Sequence, residues 1–164
     1  MRTNEIHPIA DQLVRAHDGD PWYGDSTMSV LRGITAEQGS RRPIAQAHTV
    51  WELVLHITSW QREVVRRLRT GIVREPEHGD WPAVADTSDD AWRAALDDLV
   101  AAHRELLAEI ERFPADALHT VLGGERDRPL GSGVTYYVLL HGVVQHNLAH
   151  TAQISLLKKS FAAS

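Results

Sequence analysis

The sequence predicts an all-α domain built from four main helical blocks. Apolar residues recur at three- and four-residue steps over long stretches, proline and glycine fall between those stretches, and helix-capping residues stand where they begin. The 164 residues, with neither internal repeat nor low-complexity segment, suit one domain spanning 1–164 and can bury a substantial core.

The first block runs from about Ile6 to Leu31, with Ile9, Leu13 and Ala16 at helical spacing. Gly19-Asp-Pro-Trp-Tyr-Gly24 must break it, and Ser26 can cap a second piece that ends at Leu31. Thr35-Ala-Glu-Gln38 has the form of a capping box for one short turn, stopped by Arg41-Arg-Pro43. Thr49 is the N-cap of the second long helix, Val50 to Thr70. Glu52 sits near its positive end, Arg66, Arg67 and Arg69 near its negative end, and Gly71 terminates it. Residues 72–87 contain Pro76, Gly79, Trp81 and Pro82 and read as a loop that crosses one end of the molecule. Ser88-Asp-Asp-Ala91 opens the third helix, whose stripe of Trp92, Leu96, Leu99, Ala102, Leu106 and Ile110 continues until Phe113-Pro114. Between Ala115 and Gly133 only a turn or short hairpin is expected. The last helix, about Thr135 to Lys158, is apolar nearly all round, which predicts the most buried helix, packed on two sides in a bundle or at a dimer interface.

A net charge of -5 with scattered basic residues excludes a nucleic-acid face, since phosphate contacts call for concentrated Lys and Arg. The absence of cysteine removes disulfides, thiolate metal sites and cysteine nucleophiles, so any thiol chemistry must use a thiol supplied by a cofactor or substrate. With no apolar signal core at the N-terminus and no run of membrane-spanning length, the expectation is a soluble cytoplasmic protein with no membrane partner. A phosphate-binding glycine loop, a nucleophile elbow and a zinc-protease motif are all missing, and no spacing recommends a Ser-His-Asp triad. Catalytic residues beyond a metal site therefore stay unassigned.

The chemistry concentrates in histidines. His146 and His150 lie four residues apart in the last helix, a step that turns about 40° and climbs about 6 Å, so both rings point the same way. Chance alone gives about 0.6 such pairs in a chain with this histidine content. Both, however, interrupt an apolar segment, as does His56 in Val50-Trp-Glu-Leu-Val-Leu-His-Ile-Thr-Ser-Trp60. On spacing alone the trio is either a chelating site or three satisfied polar groups in a bundle core. Gln153 shares the sector of His146 and His150 and reaches either a ligand or a neighbouring helix. His141 projects about 180° from His150 and belongs at an interface, hydrogen-bonded. Glu52, His56 and Trp60 form an i,i+4 ladder. Glu52 either orients an imidazole N–H or, the favoured reading, answers the helix dipole. Trp22, Tyr23 and Trp60 are candidate pocket walls, with aromatic core as the alternative. His7, His17, His48, His78, His103 and His119 fall in loops or on polar faces and receive no role.

Three blocks carry a resemblance: Pro21-Trp-Tyr-Gly-Asp25, Ala47-His-Thr-Val-Trp-Glu-Leu-Val-Leu-His56, and Leu140-His-Gly-Val-Val-Gln-His-Asn-Leu-Ala-His-Thr-Ala-Gln-Ile154. Through them the chain resembles the DinB-like superfamily and, within it, the YfiT-like metal-dependent proteins. The resemblance implies a four-helix bundle with a long connection between the second and third helices, often a homodimer. It also implies a divalent metal on His56, His146 and His150, with water or substrate in the open positions. Zinc or nickel is the first expectation and iron a further one, since all three accept imidazoles. Members of the family with assigned activities are thiol S-transferases and isomerases that use mycothiol or bacillithiol, and others are described as metal-dependent hydrolases. The implied function is thus a small-molecule thiol S-transferase or hydrolase, with an external thiol cofactor in the first case. The alternative is a non-catalytic dimeric bundle with a structural or vestigial metal site, for which Glu52 is the fourth ligand to check. One departure is Ala152, where glycine commonly precedes the glutamine; alanine favours helix.

Overall fold

The computed structural model describes residues 5–161. Four long helices, α1 (Ile6–Asp18), α4 (Val50–Thr70), α5 (Asp89–Arg112) and α6 (Tyr136–Phe161), form an all-α bundle, with short helices α2 (Thr27–Leu31) and α3 (Ala36–Ser40) between the first two. A two-stranded antiparallel ribbon, β1 (Val121–Leu122) and β2 (Val134–Thr135), precedes α6, so the hairpin expected after α5 is present.

Local chemistry explains most of the boundaries. Thr35 with Gln38, and Thr49 with Glu52, form complete capping boxes at the starts of α3 and α4, and Ser88 accepts from the Ala91 amide at the start of α5. Gly71 closes α4 in the left-handed region at φ 67°, which only glycine adopts freely. Ser26 holds the N-cap position of α2 as expected, but its side chain makes no capping bond. Gly19 through Asp25 does break the first block.

The connection between α4 and α5 does not cross one end of the bundle. It runs back along α4: Ser59 donates to the Gly79 carbonyl, and Trp81 stacks on both His56 and His48. In consequence α4 and α5 lie parallel, with Trp51 against Trp92, Arg62 paired with Asp98, and Arg69 paired with Glu105 and Glu109. A parallel pair needs a connection as long as the helix it retraces, which is what the Pro- and Gly-rich loop supplies.

The interior divides into two apolar clusters. One gathers α2, α3, the first half of α4, the start of α5 and the end of α6, including Leu31, Val54, Leu99 and Ile154. The other gathers α1, the second half of α4, the end of α5 and the start of α6, including Leu13, Val65, Leu106 and Leu140. Every helix except α3 contributes buried polar side chains: His17, Thr27, Thr58, Gln61, His103, Asn147 and Thr151. The hydroxyls of Thr27 and Thr151 lie 2.7 Å apart, so one donates to the other, and the backbone carbonyls of Ala16 and Asn147 lie within hydrogen-bond distance of Thr27 and Thr151 respectively. Pairing of this kind offsets the cost of burying a polar group, though Gln61 Oε1 and His103 Nδ1 have no hydrogen-bond partner among the described residues.

Two expectations are corrected here. The most buried helix is α4, whose Val50, Leu53, Val54 and Ile57 are all 0–1% exposed, whereas α6 leaves Val138 and Leu156 half or more exposed. Part of its all-round apolarity lies on a face that the described residues leave exposed. His17 and His103 are not on polar faces: both are buried, and their rings stack at 3.7 Å, nearly parallel. His17 follows Leu13, and His103 lies between Leu99 and Leu106, at helical spacing, so each is in phase with an apolar stripe.

Candidate metal centre

His56 projects from the second turn of α4, and His146 and His150 from successive turns of α6, which packs against it. One nitrogen from each ring falls in a set whose members all lie within 4.8 Å of one another, a group that could hold a metal ion. The closest approach is Nε2 of His56 to Nε2 of His146, at 2.9 Å.

The remaining ring nitrogens show what those Nε2 atoms carry. His56 Nδ1 is 2.6 Å from the Asp80 carbonyl, and a carbonyl can only accept, so the proton of the neutral ring sits on Nδ1 and Nε2 holds a lone pair. His150 Nδ1 likewise donates to Gln153 Oε1 at 2.8 Å. His146 Nδ1 is 3.5 Å from Asn147 Oδ1, a much weaker restraint. Two nitrogen lone pairs facing each other at 2.9 Å repel unless a proton or a cation lies between them. Neutral imidazoles with their far N–H tied to an acceptor are the donor set a divalent metal requires, so the residues fit the ion that the resemblance implies.

Burial favours the neutral form of His56 and His146. Burial holds His146 down to about 4, with the neighbouring His150 and His56 adding to the effect. His56 is also lowered, chiefly by burial, against the opposing hydrogen bond to Asp80. Trp81 covers His56 face to face at 3.8 Å, and Trp60 lies 6.4 Å from His56 and 6.2 Å from His146. The Trp60 indole donates to Asp80 Oδ1 at 2.7 Å, so one loop residue orients both His56 and Trp60.

Trp60 and Gln153 are therefore at the cluster. Glu52 is not: its Oε2 accepts from the Thr49 amide at 2.7 Å and its Oε1 pairs with Arg42, which is the helix-start role the ladder favoured. Among the described residues no carboxylate joins the three histidines. Trp22 and Tyr23 are 97% and 84% exposed and line a separate groove with Leu148 and Ser155, about 180° around α6 from His146. The Gly19–Gly24 excursion carries them outward, into solvent. His141 stays apart from the trio as expected, in contact with Tyr137, but its buried Nε2 has no hydrogen-bond partner among the described residues. Asp80 and Trp81 escaped the sequence reading. The only trace of them was a tryptophan between Gly79 and Pro82 in an otherwise polar loop.

The sequence model of the DinB superfamily matches residues 24–154, most of the chain and all of the site. The chain belongs to the DinB superfamily. No curated protein and no solved structure gives a significant match. Within this DinB-superfamily bundle the two helices that carry the histidines, α4 and α6, each contribute to both apolar clusters.

Proposed function

We propose that this protein is a metal-dependent enzyme acting on a small molecule, with His56, His146 and His150 as the ligands of a divalent metal. The observation that carries the reading is the convergence of one nitrogen from each of the three rings to within 4.8 Å, with Nδ1 of His56 held by the Asp80 carbonyl and Nδ1 of His150 by Gln153. Zinc or nickel suits neutral imidazoles first, and ferrous iron is also accommodated. The metal supplies Lewis acidity, lowering the pKa of a nucleophile near neutral pH. The chain holds the Nδ1 protons at the Asp80 carbonyl and Gln153, covers one side of His56 with Trp81, and presents His146 to an adjoining cavity. With no carboxylate or cysteine completing the set among the described residues, three protein ligands leave room for substrate, which favours an enzyme over a closed structural site.

Two reaction classes suit this site: transfer to or from an external low-molecular-weight thiol, and hydrolysis. A thiol has to come from outside because the chain has none. A homodimer is part of the proposal. On α6, Val138, Gly142, Gln145, Ala149, Ala152 and Leu156 recur at alternating four- and three-residue steps, the seam of a self-complementary helix pair. Val138 and Leu156 on that seam are 50% and 61% exposed.

Metal content of the purified chain, by mass spectrometry, tests the reading. One equivalent of metal per chain in the wild type, lost in His146→Ala and in His56→Ala but kept in His141→Ala, is the expected result. Unchanged stoichiometry in the first two variants overturns it.

A further inference from the structure

A cavity of about 390 Å³, within the ~300–1,000 Å³ range of small-molecule sites, opens beside the histidine cluster between α4, α6 and the hairpin loop. His146 forms part of its wall, and Trp60, Val64, Leu139 and Val143 make it predominantly apolar. Its charged wall is entirely cationic: Arg67, Arg126 and Arg128 line it, and no aspartate or glutamate does.

The three arginines differ. Arg67 is buried and already paired, with Nε 2.7 Å from the equally buried Glu63, a carboxylate it shares with Arg66. Arg126 is pinned by the loop, its Nη1 donating to the carbonyls of Asp127 and Ser132 at 2.7 and 3.0 Å. Those contacts are to neutral oxygens and leave its charge uncompensated. Arg128 has no partner for its guanidinium among the described residues. The nearby Asp127 carboxylate is occupied by its own turn, accepting from the Leu130 amide. The loop is also internally rigid. Ser132 donates to the Glu125 carbonyl and accepts from the Asp127 amide, and Gly133, at φ 68°, lets the backbone pass so close to Arg126 that a Cβ there would sit 2.7 Å from its Cα.

Resting on the metal-dependent reading above, we propose that the substrate is an organic acid with an apolar body. Its carboxylate is received by Arg126 and Arg128, its body lies against Trp60 and the α6 aliphatics, and its reacting end reaches the histidine side of the cavity. Guanidinium groups match a carboxylate with paired N–H donors, and the apolar majority of the wall favours a single charge on a hydrophobic molecule. A neutral analogue leaves two cations unpaired at the cavity mouth and binds more weakly.

Isothermal titration of the full chain with 4-phenylbutyrate and with its neutral amide, each with zinc and after chelation, tests the assignment. The acid is expected to bind at least ten-fold more tightly than the amide. That preference is expected to fall below two-fold in Arg126→Gln/Arg128→Gln, which retains wild-type circular dichroism and zinc content, and to persist in Arg112→Gln. Equal affinity for acid and amide, no binding of either, or a preference that survives the double substitution, as direct binding to the ion would give, overturns the proposal. If His146→Ala leaves the zinc content unchanged while the arginine-dependent preference remains, the metal reading fails and the anion site stands.

Discussion

Acidification is expected to weaken this fold through His17 and His103. Burial holds His17 down to about 4 and His103 down to about 3, with Arg104 pressing on both and the His17 ring adding to the effect on His103. In the unfolded chain both titrate near 6.5. Their native values are depressed, so the unfolded state binds more protons below about pH 6.5. Stability is then full above that pH and falls as the pH drops toward the native values. Each ring costs at most about 1.36 kcal/mol per pH unit in that window and less at its ends, where titration is partial, so moving from pH 6.5 to 4.5 removes about 4 kcal/mol from the pair. A domain with about 5–15 kcal/mol in total loses a large fraction of it. The assay is urea unfolding followed by circular dichroism at pH 7.5, 6.5, 5.5 and 4.5, with chelator present, for the wild type and for His17→Phe/His103→Phe. The double substitution keeps the stacked rings and removes the titration, so carboxylates and the other histidines contribute equally to both proteins. The wild type is expected to lose about 4 kcal/mol more than the variant. Parallel loss across the range refutes the reasoning, because it means the two imidazoles are as well solvated in the native state as in the unfolded one.

Removing the acceptor in Gln153→Leu frees His150 Nδ1, and metal affinity measured by competition with a chromophoric chelator is expected to fall about 10–100-fold with the fold unchanged. Glu63→Ala strands the Arg67 guanidinium, 1% exposed, and is expected to cost about 3–5 kcal/mol in urea unfolding, most of it recovered in Glu63→Leu/Arg67→Met. Leu156→Glu places a charge on the exposed α6 seam, and sedimentation equilibrium is expected to show the dimer replaced by monomer; an unchanged mass assigns the contact elsewhere.

Much of this molecule was legible in one dimension. The capping residues Thr35, Thr49 and Ser88 marked their helices because a cap is a bond between neighbours within four residues. Likewise the i,i+4 step of His146 and His150 placed both rings on one side, and the same spacing aligned Gln153 with them. His17 and His103 were misassigned because their apolar phase was outweighed by residue type, although Leu13, Leu99 and Leu106 were there to show it. Trp22 and Tyr23 were misplaced for the opposite reason: aromatic character suggested a pocket, and nothing local shows which way an excursion between two glycines projects.

By itself the sequence determined the helices, their ends, and the three histidines brought forward as a set, since each depends on periodicity or on contacts a few residues long. Only the tertiary structure decided that residues 72–88 run back along α4, making α4 and α5 parallel. It alone brought Asp80 and Trp81 to His56, Thr27 to Thr151 and His17 to His103. The physical reason is separation along the chain. The His56–His146 contact joins residues 90 positions apart, and its geometry follows from how helices pack, which no local pattern encodes.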